Sequence, residues 1–292
     1  MKNKKAIVTM ALGEPYLRLW KELCEANWLE YGARHGYDII CIDRLLDDSK
    51  RALARHLSWQ KCLILGNEAV NNYDQVVWVD SDILINNQIA PDISKDVPLP
   101  KIGVVEIFSE PTPAWYRECL TRMYDFWGNN AVINYDPRDY YKSYGFPASF
   151  DKVAMNGVIV LSPRHHRELM ERNYYNYEER GSCWNGEMRP FSYELLNAGC
   201  EHWLDCRFNI NWWEVRFMHY PWLVNPRAHR RFSVRLADKL AELLGGDFRS
   251  RLRRACVNAT FLTSFFMHFG GDTKEDMRLV DQPESSWRHC RI

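Results

Sequence analysis

Three short apolar runs near the start of the chain, at 6–11, 37–42 and 75–79, alternate with stretches of helical spacing. The first, Ala-Ile-Val-Thr-Met-Ala, is followed closely by Gly13 and suits a strand buried on both faces. Residues 14–34 place Leu17, Trp20, Leu23, Cys24 and Trp28 on one side of a helix that Gly36 stops. A second helix is expected over about 53–72, carrying Leu57, Cys62, Leu63, Leu65 and Val70. Strand, helix and strand on short connections form a βαβ unit, which implies a mostly parallel sheet flanked by helices. The fold class is α/β.

Beyond residue 100 the pattern is less regular. Strands are expected at 102–108 and 153–161, with helices from Pro113 and at 164–180, 190–198, 235–244 and 247–257. A loop at 128–150, rich in Tyr, Asn and Gly, is long enough to suggest function. No repeat or linker interrupts the chain, so one continuous domain over 1–292 is expected. The 38 basic and 38 acidic side chains cancel, which removes the electrostatic case for nucleic acid. Nine scattered cysteines without a CxxC pair read as reduced thiols. With no apolar leader and no long apolar run, a cytoplasmic protein without a membrane span is expected. Aromatic residues reach 14% of the chain, as extra core or as platforms for ring-shaped ligands.

The third apolar run leads directly into Asp80-Ser81-Asp82, followed by Ile83-Leu84-Ile85. Two carboxylates one residue apart then emerge at the carboxyl edge of the sheet, where open α/β sheets bind ligands. Two hard oxygen donors suit Mg²⁺ or Mn²⁺ better than zinc, and such ions bridge to substrate phosphates. An Asx turn closing the strand is the plainer alternative.

Four further islands follow the same order as a known group. Trp59-Gln60-Lys61 resembles a W-x-K ahead of D-x-D. Met155-Asn156-Gly157 leads a hydrophobic strand similar to one lining the acceptor side. Ser192-Tyr193-Glu194-Leu195-Leu196-Asn197 is similar to a D-Q-D-x-L-N segment. His268-Phe269-Gly270-Gly271-Asp272-Thr273-Lys274 fits H-x-x-G-x-x-K. Together with the D-x-D, these resemble the GT-A-fold, nucleotide-sugar glycosyltransferases of family 8 and its relatives.

The resemblance implies a GT-A, Rossmann-like fold, with about 1–110 as the nucleotide-sugar half and about 111–292 as the acceptor half. It implies Asp80, Asp82 and His268 as ligands of Mn²⁺ or Mg²⁺. Thr9, Met10, Ala11, Lys61, Asp80, Ser81, Gly271 and Lys274 would bind the donor, a UDP-sugar in the first instance. Asn156, Gly157, Tyr141 and Trp184 would meet a glycan or glycoconjugate acceptor, with Tyr135, Tyr140, Tyr144 and Trp212-Trp213 nearby. The expected reaction is glycosyl transfer with retention.

Ser192-Tyr193 departs from the family's D-Q, which leaves Glu194 as the catalytic expectation and Asp151 in reserve. Arg51 and Arg55 are further cations near the acidic strand. Basic groups at 227–231 and 249–254 suit either a salt-bridged surface or peripheral contact with anionic lipid. The departure at Ser192-Tyr193 keeps a catalytically silent nucleotide-sugar-binding module as an alternative. A sugar nucleotidyltransferase is another, although Leu12-Gly13-Glu14-Pro15 lacks its Gly-rich, basic loop. A haloacid-dehalogenase phosphatase wants Thr where Leu84 stands.

Overall fold

The computed structural model describes residues 3–108, 111–128, 136–180, 186–224, 239 and 248–281. Strands β1 (Lys5–Met10), β2 (Tyr37–Ile42) and β3 (Gln75–Val79) run parallel, as the three apolar runs require. Strands β5 (Ile102–Glu106), β6 (Ala154–Leu161) and β7 (Glu201–Trp203) complete a six-stranded sheet ordered β2-β1-β3-β6-β5-β7. Only β6 runs against its neighbours, pairing antiparallel to both β3 and β5. The sheet is therefore mainly parallel and has helices on both faces.

Side-chain alternation along β1 and β3 divides the interior in two. Ile7, Val77 and Val79 face one core with Trp20, Trp28 and Tyr31. Ala6, Val8, Val76 and Trp78 face the other, with Trp59, Leu65, Met170 and Phe191. The first core takes α1 (Glu14–Leu23) and α2 (Glu25–His35), so the helix read over 14–34 is two helices meeting at Cys24. Gly36, in the left-handed region at φ 76, caps α2 and turns the chain into β2.

The helix expected at 53–72 is different in kind. It is one turn, α3 (Lys50–Leu53), followed by a 3-10 stretch over Leu57–Gly66. Trp59, Gln60, Lys61, Cys62, Ile64 and Leu65 are all buried there. With residues buried on nearly every side, the segment has no 3.6-residue stripe to hold it as an amphipathic helix. Helices α4 (Pro113–Trp127), α6 (Pro163–Asn176) and α7 (Met188–Asn197) lie close to their expected places. The tyrosine-bearing loop contains α5 (Pro137–Lys142). The helix expected at 235–244 lies outside the described residues apart from position 239.

A second sheet brings the far end of the chain to the motif. Strand β4 (Ile83–Ile85), just after the acidic pair, pairs antiparallel with β9 (Phe266–His268). Strand β8 (Ile210–Asn211) lies parallel to β9 on its other side. Helix α8 (Trp212–His219) follows β8, and α10 (Phe248–Phe261) precedes β9 after the short α9 (Pro221–Val224). On α10, Arg253 pairs with Asp276 at 2.7 Å and Arg254 pairs with Asp281. Among the described residues no helix is long and apolar enough to cross a membrane.

Trp28 joins these layers. Its ring is fully buried, and its indole N–H donates to the Ile83 carbonyl at 2.9 Å, tying α2 to β4. Trp28→Ala should cost about 3–5 kcal/mol of stability, through lost packing and the lost indole hydrogen bond. Equilibrium urea unfolding checks this; a loss under about 1 kcal/mol contradicts the role.

Candidate functional site

The carboxyl ends of β1 and β3 open into a cavity of about 820 Å³, within the roughly 300–1,000 Å³ usual for ligand pockets. Its polar floor is Asp80, Asp82, His268 and Lys274. Asp80 and Asp82 occupy the turn between β3 and β4, and the Asp80 amide donates to the Gly157 carbonyl at 2.9 Å. The β4–β9 register sets Ile83 opposite His268. It places His268 Nε2 3.2 Å from Asp82 Oδ1 and 3.9 Å from Asp80 Oδ2. One donor atom from each of the three residues lies within 4.8 Å of the others.

The imidazole is fixed from behind. His268 Nδ1 lies 3.1 Å from Asn209 Oδ1, a contact that orients the ring and leaves Nε2 facing the carboxylates. Gly157 makes room for the ring, since a Cβ there would sit 3.0 Å from both His268 Nδ1 and Asn209 Nδ2. Burial raises the Asp82 pKa, but the charge and hydrogen bond of His268, with Lys274 behind them, bring it down to about 2. The same contacts outweigh burial at His268 and raise its pKa. Two oxygen donors and an oriented imidazole therefore converge on one point, a set that can hold a divalent ion.

Lys61 supports this floor from inside the protein. Its Nζ is 3.1 Å from Asp80 Oδ1 and 3.2 Å from Glu187 Oε1. Trp78 Nε1 donates to the same Asp80 oxygen at 2.8 Å. Asn156 Nδ2 donates to Glu187 Oε1 at 2.8 Å, and Ser58 bonds the other oxygen of Glu187. Burial works against charge on Lys61, yet the two carboxylates hold its pKa above the ordinary value. Burial likewise disfavours the Glu187 carboxylate, and the Lys61 charge reverses that, leaving its pKa lowered.

Several expected site residues meet here. Met10, Lys61, Asp80, Ser81, Asp82, Asn156, Gly157, His268, Gly271 and Lys274 all line the cavity. Thr9 and Ala11 do not; both are buried one residue away from Met10 along the strand. Instead Leu12 and Tyr16 border that end, with the Lys274 ammonium 4.4 Å from the centre of the Tyr16 ring.

Other expectations do not converge. Glu194 is outside the cavity, accepting from the Tyr177 hydroxyl and paired with Arg172 at 3.2 Å. Asp151 is exposed on a turn before β6. Tyr141 is fully buried, its hydroxyl donating to the Lys152 carbonyl at 2.8 Å beside Ser192 Oγ at 2.7 Å. Tyr140 and Tyr144 are buried too. Arg51 and Arg55 turn away to Glu178. Trp184 and Tyr135 lie outside the described residues.

What the sequence reading missed is Glu187, at the N-terminus of α7, where it had placed the acidic position at 192–194. It also missed Glu214 on α8, whose carboxyl lines the cavity with its pKa pushed up by burial to about 7. Among the described residues, Tyr124, Trp127 and Trp213 supply an aromatic wall, and Tyr140, Tyr141 and Tyr144 do not reach the cavity. The Trp127 and Trp213 rings lie 4.9 Å apart at 40°.

No protein-family model and no curated protein sequence matches the chain. Solved structures do. A glycosyltransferase involved in glycosylation of the major capsid of PBCV-1 aligns at TM-score 0.51 and 14% identity, over 94% of this chain and 100% of that one. The apo structure of the bifunctional glycosyltransferase WbbM aligns at TM-score 0.50 and 13% identity, over 98% of this chain. This chain spans only 51% of WbbM. The chain has the GT-A fold of these glycosyltransferases.

Removing the buried cation tests the network. Lys61→Met strands Glu187 and Asp80 as uncompensated carboxylates and should destabilise the protein by roughly 3–5 kcal/mol, read by chemical denaturation. Unchanged stability contradicts the assignment.

Proposed function

We propose that the chain is a metal-dependent glycosyltransferase that moves a sugar from a nucleotide sugar, a UDP-sugar first, to a glycan or glycoconjugate acceptor. The observation carrying this is the cluster of Asp80, Asp82, His268 and Lys274 at the carboxyl edge of a GT-A sheet. Asn209 orients His268, and the three donors fit Mn²⁺ or Mg²⁺, so the site's chemistry agrees with the group the fold implies. Such an ion, when bound, neutralises the diphosphate that leaves as the glycosidic bond breaks.

The chain's own residues divide the rest of the work. Lys274, 3.5 Å from Asp82, supplies a cation beside the diphosphate. Met10, Leu12 and Tyr16 border the end of the cavity suited to the nucleoside. Asn156 and Glu187 present polar groups beside the metal cluster, where the donor sugar is expected. Glu187 thereby takes the role that the sequence reading gave to Glu194 and, in reserve, Asp151. Trp127 and Trp213 give the opposite wall flat faces for a sugar ring.

Retention, as the H-x-x-G-x-x-K segment suggests, belongs to this reading. So do a donor half over about 1–110, an acceptor half over about 111–292, and a cytoplasmic location.

Donor hydrolysis tests it. Incubation with Mn²⁺ and a panel of UDP- and GDP-sugars should release nucleotide, and Asp82→Ala should lower the rate by about 100-fold or more. Full activity in that variant overturns the metal assignment. Tight metal-dependent nucleotide binding with no turnover points instead to the silent module. Gly157→Ala should keep the melting temperature within a few degrees but lower turnover about tenfold, because the new methyl presses on His268.

A further inference from the structure

Behind the main cavity lies a second of about 280 Å³. The two share Ile107, Met155, Asn211 and Glu214, so they adjoin. Trp115 and Tyr220 bring aromatic surface to the second cavity, while Asn209, Asn211 and Thr260 bring short polar side chains. Ala259 and Thr263, both exposed, border it.

Charge distinguishes the two spaces. The first holds Lys274 beside the Asp80, Asp82 and His268 set that would carry a divalent ion, and so suits a diphosphate. The second is lined by Glu106, Glu214 and His219, with no Lys or Arg among its described lining residues. An anionic ligand is disfavoured there. A neutral polyol is favoured, because its C–H faces pack on aromatic rings while its hydroxyls bond amides and carboxylates. The volume, just under the range usual for drug-sized ligands, suits one sugar ring.

Glu214 is placed to connect the chambers. Its one hydrogen bond among the described side chains is weak, from Asn211 Nδ2 at 3.5 Å. No cation is paired with it among the described ion pairs. A partly buried carboxylate with spare acceptor capacity, in contact with both spaces, is a hydroxyl receptor.

We propose that the second cavity binds a neutral pyranoside, the acceptor's reacting sugar, and that Glu214 accepts a hydrogen bond from the hydroxyl turned toward the donor cavity. This rests on the glycosyltransferase reading. It makes Glu214 a specificity-determining residue and locates acceptor entry beside α10, away from the nucleotide end.

The test uses the full chain with Mg²⁺ and UDP. Saturation-transfer NMR against a panel of methyl α- and β-hexopyranosides should detect binding of at least one to the wild type. Glu214→Gln, and separately Ala259→Trp at the rim, should weaken that binding about tenfold, and Ala259→Trp should leave UDP affinity unchanged. Because Ala259 is exposed, its variant keeps the test informative even if Glu214→Gln fails to fold. Wild-type protein that binds none of the glycosides, or glycoside binding indifferent to a folded variant at either position, overturns the inference. Failure of UDP to bind and of donor sugar to be hydrolysed would instead count against the underlying reading.

Discussion

The pairing of Ile83, Leu84 and Ile85 with His268, Met267 and Phe266 determines whether the site exists at all. Ile83, Leu84, Ile85, Phe266 and Met267 are all packed in the core, and that close packing keeps the register. The register then does chemical work: it sets an imidazole from the end of the chain against carboxylates from the first third. Trp28 and Asn27 hold β4 from the other side through its backbone, Asn27 with bonds of 2.7 and 2.8 Å to Ile85. The geometry of the Asp80, Asp82 and His268 cluster is thus a by-product of hydrophobic packing in a small sheet.

Around that pairing, charge is managed locally. The chain carries equal numbers of acidic and basic side chains, yet the cavity gathers Asp80 and Asp82 on its floor with Glu187 behind them. They are tolerable because each has a specific cation: Lys61 sits between Asp80 and Glu187, while His268 and Lys274 face Asp82. A buried lysine held by two carboxylates is a rigid support, since either carboxylate moving away leaves a charge without compensation. Glu214 lies outside this arrangement and so keeps its hydrogen-bonding capacity for something else.

The part of the molecule legible in sequence was the part where one force dominates. Strands β1, β2 and β3 could be read because uninterrupted apolar runs admit few other structures. The acidic pair could be read because an abrupt change from Val79 to Asp80 marks a strand end at a sheet edge. His268 and Lys274 could be read only through the spacing of their glycines. Elsewhere, competing explanations had equal local signals. A tyrosine-rich loop looks the same whether its rings meet ligand or core, and Tyr140, Tyr141 and Tyr144 meet core. Glu187 and Glu194 are both helix glutamates seven positions apart, and only tertiary packing sends the first to the cavity and the second to Arg172. The 3-10 stretch was misread because its burial on nearly all sides erases the periodicity that distinguishes helix types.

Strand β9 also leaves the ribosome long after the strand it pairs with. At about 5–20 residues per second, synthesis delivers His268 roughly ten to forty seconds after Asp82. During that interval the central sheet's β1–β2–β3 half can assemble, but the carboxylates of the floor have neither their imidazole nor Lys274. The nascent chain therefore carries the two carboxylates before the imidazole and ammonium that face them, and the cluster closes only with the docking of a three-residue strand.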